Sequence, residues 1–203
     1  MTIPVNPGTP PILLIYRERL KPGSQAAYAA IEEETAKFAV TFGCPHPYLA
    51  ALALTRDSEV WWFNGFASAS DQARVSDEYV RNTAWFDALT RNSERKASLT
   101  LEPIETLATY RPELSHGTPW LLGTGRFLVI TTGQSDSLPR GTVFETSDGV
   151  RTVLTSTHTR EDAEAARAIA GPGSDLLVVR PAWSFPARAW IAADPEFWAA
   201  DAH

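Results

Sequence analysis

Glu59-Val60-Trp61-Trp62-Phe63-Asn64-Gly65-Phe66-Ala67 is the stretch on which the fold turns. Its β-branched and aromatic residues read as a strand. A period of two divides it into Trp62, Asn64 and Phe66 on one face and Trp61, Phe63 and Gly65 on the other. Large apolar residues stand on both faces, so both must be covered. One set can meet helices. The other needs a second sheet, supplied by the C-terminal half of the chain or by another chain.

Working outward, residues 48–55 form a second strand joined to the first by the polar turn Arg56-Asp57-Ser58, a hairpin. Upstream, residues 12–20 (ILLIYRERL) read as a strand in which Tyr16 and Glu18 share one face while Ile15 and Arg17 share the other. Lys21-Pro22-Gly23 ends it and Ser24 caps a helix whose stripe is Ala27, Tyr28, Ile31, Thr35, Phe38 and Phe42, stopped by Gly43. The Glu32-Glu33-Glu34 run reads as the solvated face of that helix. Downstream, Ser70 caps a second helical stretch carrying Val75, Tyr79, Phe86 and Leu89, with a break at Asn82-Thr83. A fourth strand spans residues 99–110, with Pro103 near its start. The order is β-α-β-β-α-β.

Residues 1–11 are a Pro/Gly-rich tail, residues 12–110 the ferredoxin-like half, and residues 111–125 a turn-rich linker. Residues 126–203 then run strand, loop, hairpin across Asp148-Gly149, short Ala/Glu/Arg helix capped by Thr159, strand and tail. This order repeats the first half with its first helix shortened to the loop 133–141. Residues 60–75 have a loose echo in residues 151–166. The fold class expected is therefore α+β, two ferredoxin-like halves of which the second is degenerate, forming an α+β barrel. Trp183, Trp190 and Trp198, in a Pro-broken tail, read as packing plugs.

The chain has 203 residues, 44% hydrophobic and 21% charged, which suits a folded protein rather than a disordered one. A net charge of -6 argues against a nucleic-acid partner, which needs clustered cations. The longest early apolar run, residues 12–16, is too short to span a membrane, and the N-terminus lacks the pattern of a signal peptide. A cytoplasmic location is expected. The single cysteine, Cys44, excludes an internal disulfide and a Cys-built metal cluster.

The segments Tyr16-Arg17-Glu18-Arg19-Leu20-Lys21-Pro22-Gly23-Ser24 and Phe63-Asn64-Gly65-Phe66-Ala67-Ser68, the latter followed by Asp71 and Ala73 at a helix start, resemble the dimeric α+β barrel superfamily. That superfamily includes antibiotic-biosynthesis monooxygenase-like, NIPSNAP-like and haem-degrading proteins. The resemblance covers residues 12–110. It implies two four-stranded sheets facing each other with helices outside and a ligand site in the space the sheets enclose. It also implies that Tyr16, Trp62, Asn64 and Phe66 point into that space. The barrel then closes either between two copies, the homodimer expected here, or within one chain.

Haem-degrading relatives place an Asn on the first strand, a Trp on the third and a His on the next helix; the matching positions here hold Tyr16, Phe66 and, near Ser76, no histidine. The helix at residues 161–170 also lacks the proximal His of chlorite-dismutase-like proteins. No metal and no cofactor are expected, since no His-x-His, His-x-x-x-His or paired-carboxylate spacing is present. What remains is acid–base or cofactor-independent chemistry on a small apolar or aromatic molecule. Tyr16 or His46 takes a proton and Asn64 or Arg81 stabilises an oxyanion, while Trp62, Phe66, Tyr79 and Trp85 form the walls. The functions expected are a cofactor-independent oxygenase, isomerase or cyclase; a non-catalytic ligand-binding or stress-response protein; or a haem-binding protein using His46 or His158.

Overall fold

The computed structural model describes residues 8–134 and 139–199. Both faces of the Trp-rich strand are covered, and the second sheet comes from the same chain. Strands β1 (Ile12–Arg19), β2 (Tyr48–Ala53), β3 (Glu59–Phe66) and β4 (Ile104–Tyr110) lie in the order β4-β1-β3-β2. Strands β5 (Phe127–Gly133), β6 (Thr142–Glu145), β7 (Arg151–Thr157) and β8 (Asp175–Val179) repeat it as β8-β5-β7-β6. The sheets join reciprocally, β2 to β8 and β4 to β6, and close one antiparallel barrel of eight strands. The chain thus supplies the second sheet that the homodimer expectation sought in another copy.

Helices α1 (Gln25–Phe42), α2 (Ala69–Arg81) and α3 (Thr83–Ala97) cover the first sheet, and α4 (Arg160–Ala170) covers the second. Ser68, not Ser70, caps α2, its side chain accepting the Asp71 N–H at 3.1 Å. The break falls where Asn82-Thr83 predicts it. Asn82 Oδ1 accepts the Trp85 N–H, and its Nδ2 donates to the Phe42 and Gly43 carbonyls, tying the end of α1 to the start of α3. Strand β4 starts only at Ile104. Residues 99–103 precede it with a single bridge, Leu20 to Thr100, and Pro103 has no N–H for a ladder.

Alternation sends Leu13, Ile15, Trp61 and Phe63 inward, where they meet Leu128, Ile130, Phe144, Leu154 and Leu177 of the second sheet. An eight-stranded barrel is just wide enough for its own side chains or for one small ligand, and here these buried residues occupy it. One mouth is sealed by the C-terminal helices α5 (Arg188–Ala193) and α6 (Pro195–Ala199), whose Trp190 and Trp198 belong to the same buried cluster. Gly123 makes room for the seal, since a Cβ there would lie 2.0 Å from the Trp190 ring, and Gly65 lets Pro10 and Leu122 approach, a Cβ there lying 2.8 and 2.9 Å from them. The Arg126–Asp194 ion pair, 3.0 Å, pins the plug. Towards the opposite end, Arg17 pairs with Glu59 at 2.8 Å and lies over the Trp61 ring, and Arg56 pairs with Asp175 at 2.5 Å.

Candidate functional site

The filled barrel moves the site. Tyr16, Trp62, Asn64 and Phe66 do not point between the two sheets; they point the other way, beneath the helices. The reason is volume: Trp61 and Phe63 already occupy the narrow interior, whereas the longer span from sheet to helix layer is held open by large side chains. Between the first sheet and α1, α2 and α3 lies a chamber of about 540 Å³, within the size range of small-molecule sites.

Each wall follows from the sequence. The sheet contributes Leu14, Tyr16 and Glu18 from β1, Tyr48 from β2, and Trp62, Asn64 and Phe66 from β3. These are alternate residues of their strands, so one face delivers them all. Helix α2 supplies Val75, Ser76 and Tyr79 and helix α3 supplies Trp85, Leu89 and Lys96 at helical spacing. Aromatic contacts brace the space. Tyr48 meets Trp62 edge-on at 5.8 Å, Tyr79 meets Trp85 at 6.1 Å, and His46 stacks on Phe66 at 4.7 Å. Asn92 Nδ2 donates to Thr35 Oγ1 at 2.9 Å, holding α3 to α1.

Of the eight residues singled out from sequence, seven border this chamber: Tyr16, His46, Asn64, Trp62, Phe66, Tyr79 and Trp85. Arg81 does not. It occupies the last turn of α2 with its side chain 78% exposed, 3.8 Å from Asp77, because two residues after Tyr79 it falls on the side of the helix away from the chamber. Burial raises the Tyr16 phenol, with Glu18 adding to it, so Tyr16 offers a hydrogen bond rather than a base. Burial depresses His46 to about 4, leaving a neutral imidazole at physiological pH. Its Nε2 is buried without a partner. The Asn64 amide makes no hydrogen bond among the described residues. Cys44 is a buried thiol pushed up to about 11 by desolvation, donating to the His46 carbonyl at 3.2 Å.

Sequence reasoning missed the charged end of the chamber. Glu18 and Glu32 are 4% and 1% exposed, and both contact Lys96, at 3.4 and 2.7 Å. Glu18 Oε2 also accepts the Tyr28 hydroxyl at 2.5 Å and the Trp62 indole N–H at 3.0 Å. Glu32 therefore does not belong to a solvated helix face. Spaced four after Tyr28 and three before Thr35, it falls on the buried stripe, and that spacing was the available signal. For Glu18 the signal was alternation with Tyr16. Burial raises the Glu32 carboxyl, opposed by Lys96. Burial tends to lower Lys96, but the two glutamates outweigh it and its affinity for a proton is raised.

Among the described residues no group of three or more His, Cys, Asp or Glu side chains is arranged to hold a metal ion. Of the two histidines considered for haem, His46 borders the chamber with its Nε2 buried and unpartnered, and the His158 side chain is 70% exposed, 4.0 Å from Asp194. No helix among the described residues is long and apolar enough to cross a membrane.

No family model matches the sequence, and no curated protein matches it. Among solved structures, a NIPSNAP family protein from Agrobacterium tumefaciens strain C58 is similar at 19% identity and a TM-score of 0.36, over 50% of this chain and 86% of its own. A provisionally named chlorite dismutase is similar at 10% identity and 0.47, over 85% and 95%. A provisionally named monooxygenase from Lactobacillus acidophilus is similar at 9% identity and 0.46, over 84% and 93%. The strand pairing itself defines the class: a single-chain α+β barrel of two ferredoxin-like halves.

Proposed function

We propose that this protein binds a small apolar or aromatic molecule in the chamber beneath α1, α2 and α3. The observation that carries the reading is the chamber's make-up: aromatic walls from three strands and two helices, ending on a buried Glu18–Lys96–Glu32 cluster. Apolar walls with a few convergent polar groups are the usual composition of a small-molecule site. Calorimetric titration with naphthalene-sized aromatic compounds tests it. Binding is expected for the wild type and is lost in Leu14→Trp, which fills the chamber from β1. Binding that survives this substitution would place the ligand elsewhere.

The Glu32 carboxyl favours a catalytic reading of the same chamber. A buried carboxyl whose proton affinity is raised by burial, beside a lysine and a second glutamate, is placed to give and take a proton. That suits a cofactor-independent isomerase or cyclase more closely than an oxygenase. Deuterium exchange from solvent into 2-tetralone, an enolisable aromatic ketone, measures it. Exchange should be faster with the wild type than with Glu32→Gln while binding is retained; equal rates would leave a binding protein.

A further inference from the structure

The charged end of the chamber is lopsided in its hydrogen bonding. Tyr28, Trp62 and Lys96 all direct their donors to Oε2 of Glu18. Oε1 takes no donor among the described residues, although Glu18 borders the chamber. The Lys96 ammonium is engaged by Glu18 and Glu32 and lies 5.5 and 5.6 Å from the Tyr28 and Trp62 ring centroids. The cation position beside these rings is therefore taken. A ligand cation would crowd Lys96, and a ligand anion would meet two buried carboxylates. A neutral group that only accepts would leave Oε1 unpaired, and an unpaired buried acceptor is costly. A neutral donor is what the geometry lacks.

We infer that the chamber selects uncharged aromatic hydroxyl compounds, phenols or enols, held against Trp62 with the hydroxyl donating to Glu18 Oε1. The inference rests on the binding reading above and names its ligand class. No bond is made or broken in this recognition.

The test is calorimetry on the full chain at neutral pH with four probes of one shape: 2-naphthol, naphthalene, 2-naphthoate and 2-naphthylmethylammonium. A hydrogen bond to a charged acceptor should make 2-naphthol bind about tenfold or more tighter than naphthalene, with both ions weaker than naphthalene. In Glu18→Gln, where the acceptor is neutral, the ratio of naphthol to naphthalene affinity should shrink to about threefold or less. Should that variant fail to fold, the wild-type series still decides. Naphthalene binding as tightly as naphthol, or either ion binding more tightly, overturns the ligand class while leaving the binding function standing. No binding by any of the four overturns both.

Discussion

Leu13 and Leu14 are consecutive residues of one strand, and they face two different interiors. Leu13 is fully buried in a barrel packed to capacity, among Phe63, Leu128 and Leu154. Leu14 borders a chamber with room for a ligand. Both regions are lined by tryptophan and phenylalanine, so composition does not separate them. What separates them is what stands opposite. Across the barrel the second sheet sends in Ile130, Phe144 and Leu177, and the two sets interdigitate. Across the chamber the helices are held off by Tyr79, Trp85 and a buried ion cluster. The second half shows the alternative, since α4 seats Ala163 against Val129 and Leu176 and closes its sheet directly. Large side chains between sheet and helix open a space; alanines close it.

The largest expected effect contrasts the two buried charge networks. Lys96→Met leaves Glu18 and Glu32 buried without a counter-ion and should cost about 3–5 kcal/mol in chemical denaturation at neutral pH. Arg17→Met near the barrel end should cost less, because Glu59 keeps the Trp61 indole N–H at 3.2 Å and Arg56 at 3.8 Å. Equal losses would mean that the chamber end holds no special strain of charge.

His46 gives the comparison a pH axis. Its folded value of about 4 lies below its ordinary 6.5, so its contribution is complete above 6.5 and is lost as pH falls towards the folded value. The full swing is on the order of 3 kcal/mol. His46 faces Asp71, which favours its charged form, and Arg74, which opposes it; Arg74 in turn pairs with Asp71 and Glu78. Melting temperatures of the wild type should fall more steeply than those of His46→Phe on acidification below 6.5. Parallel curves would show an imidazole that is solvated rather than set in the wall.

Enlarging the neighbouring leucines separates the two interiors directly. Leu13→Trp should overpack the barrel by about 3 kcal/mol, while Leu14→Trp should cost less than about 1 kcal/mol because the chamber has space. Matching losses in denaturant titrations would say that both spaces are filled. The smallest effect concerns Glu32. Its raised folded value means that its contribution is complete below 4.5 and is lost as pH rises through the folded value. Glu32→Gln should therefore gain on the wild type as pH rises, read from thermal melts across that range; a gain on acidification instead would reverse the sign and the assignment.

Much of this was legible in the sequence because it rests on local rules. Alternation in β3 sorted Trp62, Asn64 and Phe66 from Trp61, Phe63 and Gly65, and the order of elements repeated closely enough to indicate two halves. Seven of the eight chosen residues line one chamber. Which set faced which interior was not legible, since both sets are bulky and apolar and the choice depends on residues far away in the second half. Glu32 was hidden by its neighbours: a run of three glutamates looks solvated, and only its partner Lys96, 64 positions along the chain, makes its burial tolerable. Arg81 lies off the chamber for a local reason that the stripe of α2 already carries: two residues after Tyr79, it falls on the opposite side of the helix.

In a crystal of the full chain soaked with 6-bromo-2-naphthol, the anomalous signal of bromine locates the ring without reference to the refined protein. A single peak is expected beneath the helices, beside Trp62 and Leu89, with the hydroxyl towards Glu18. A peak among Leu13, Phe63 and Leu128, inside the barrel, would contradict it.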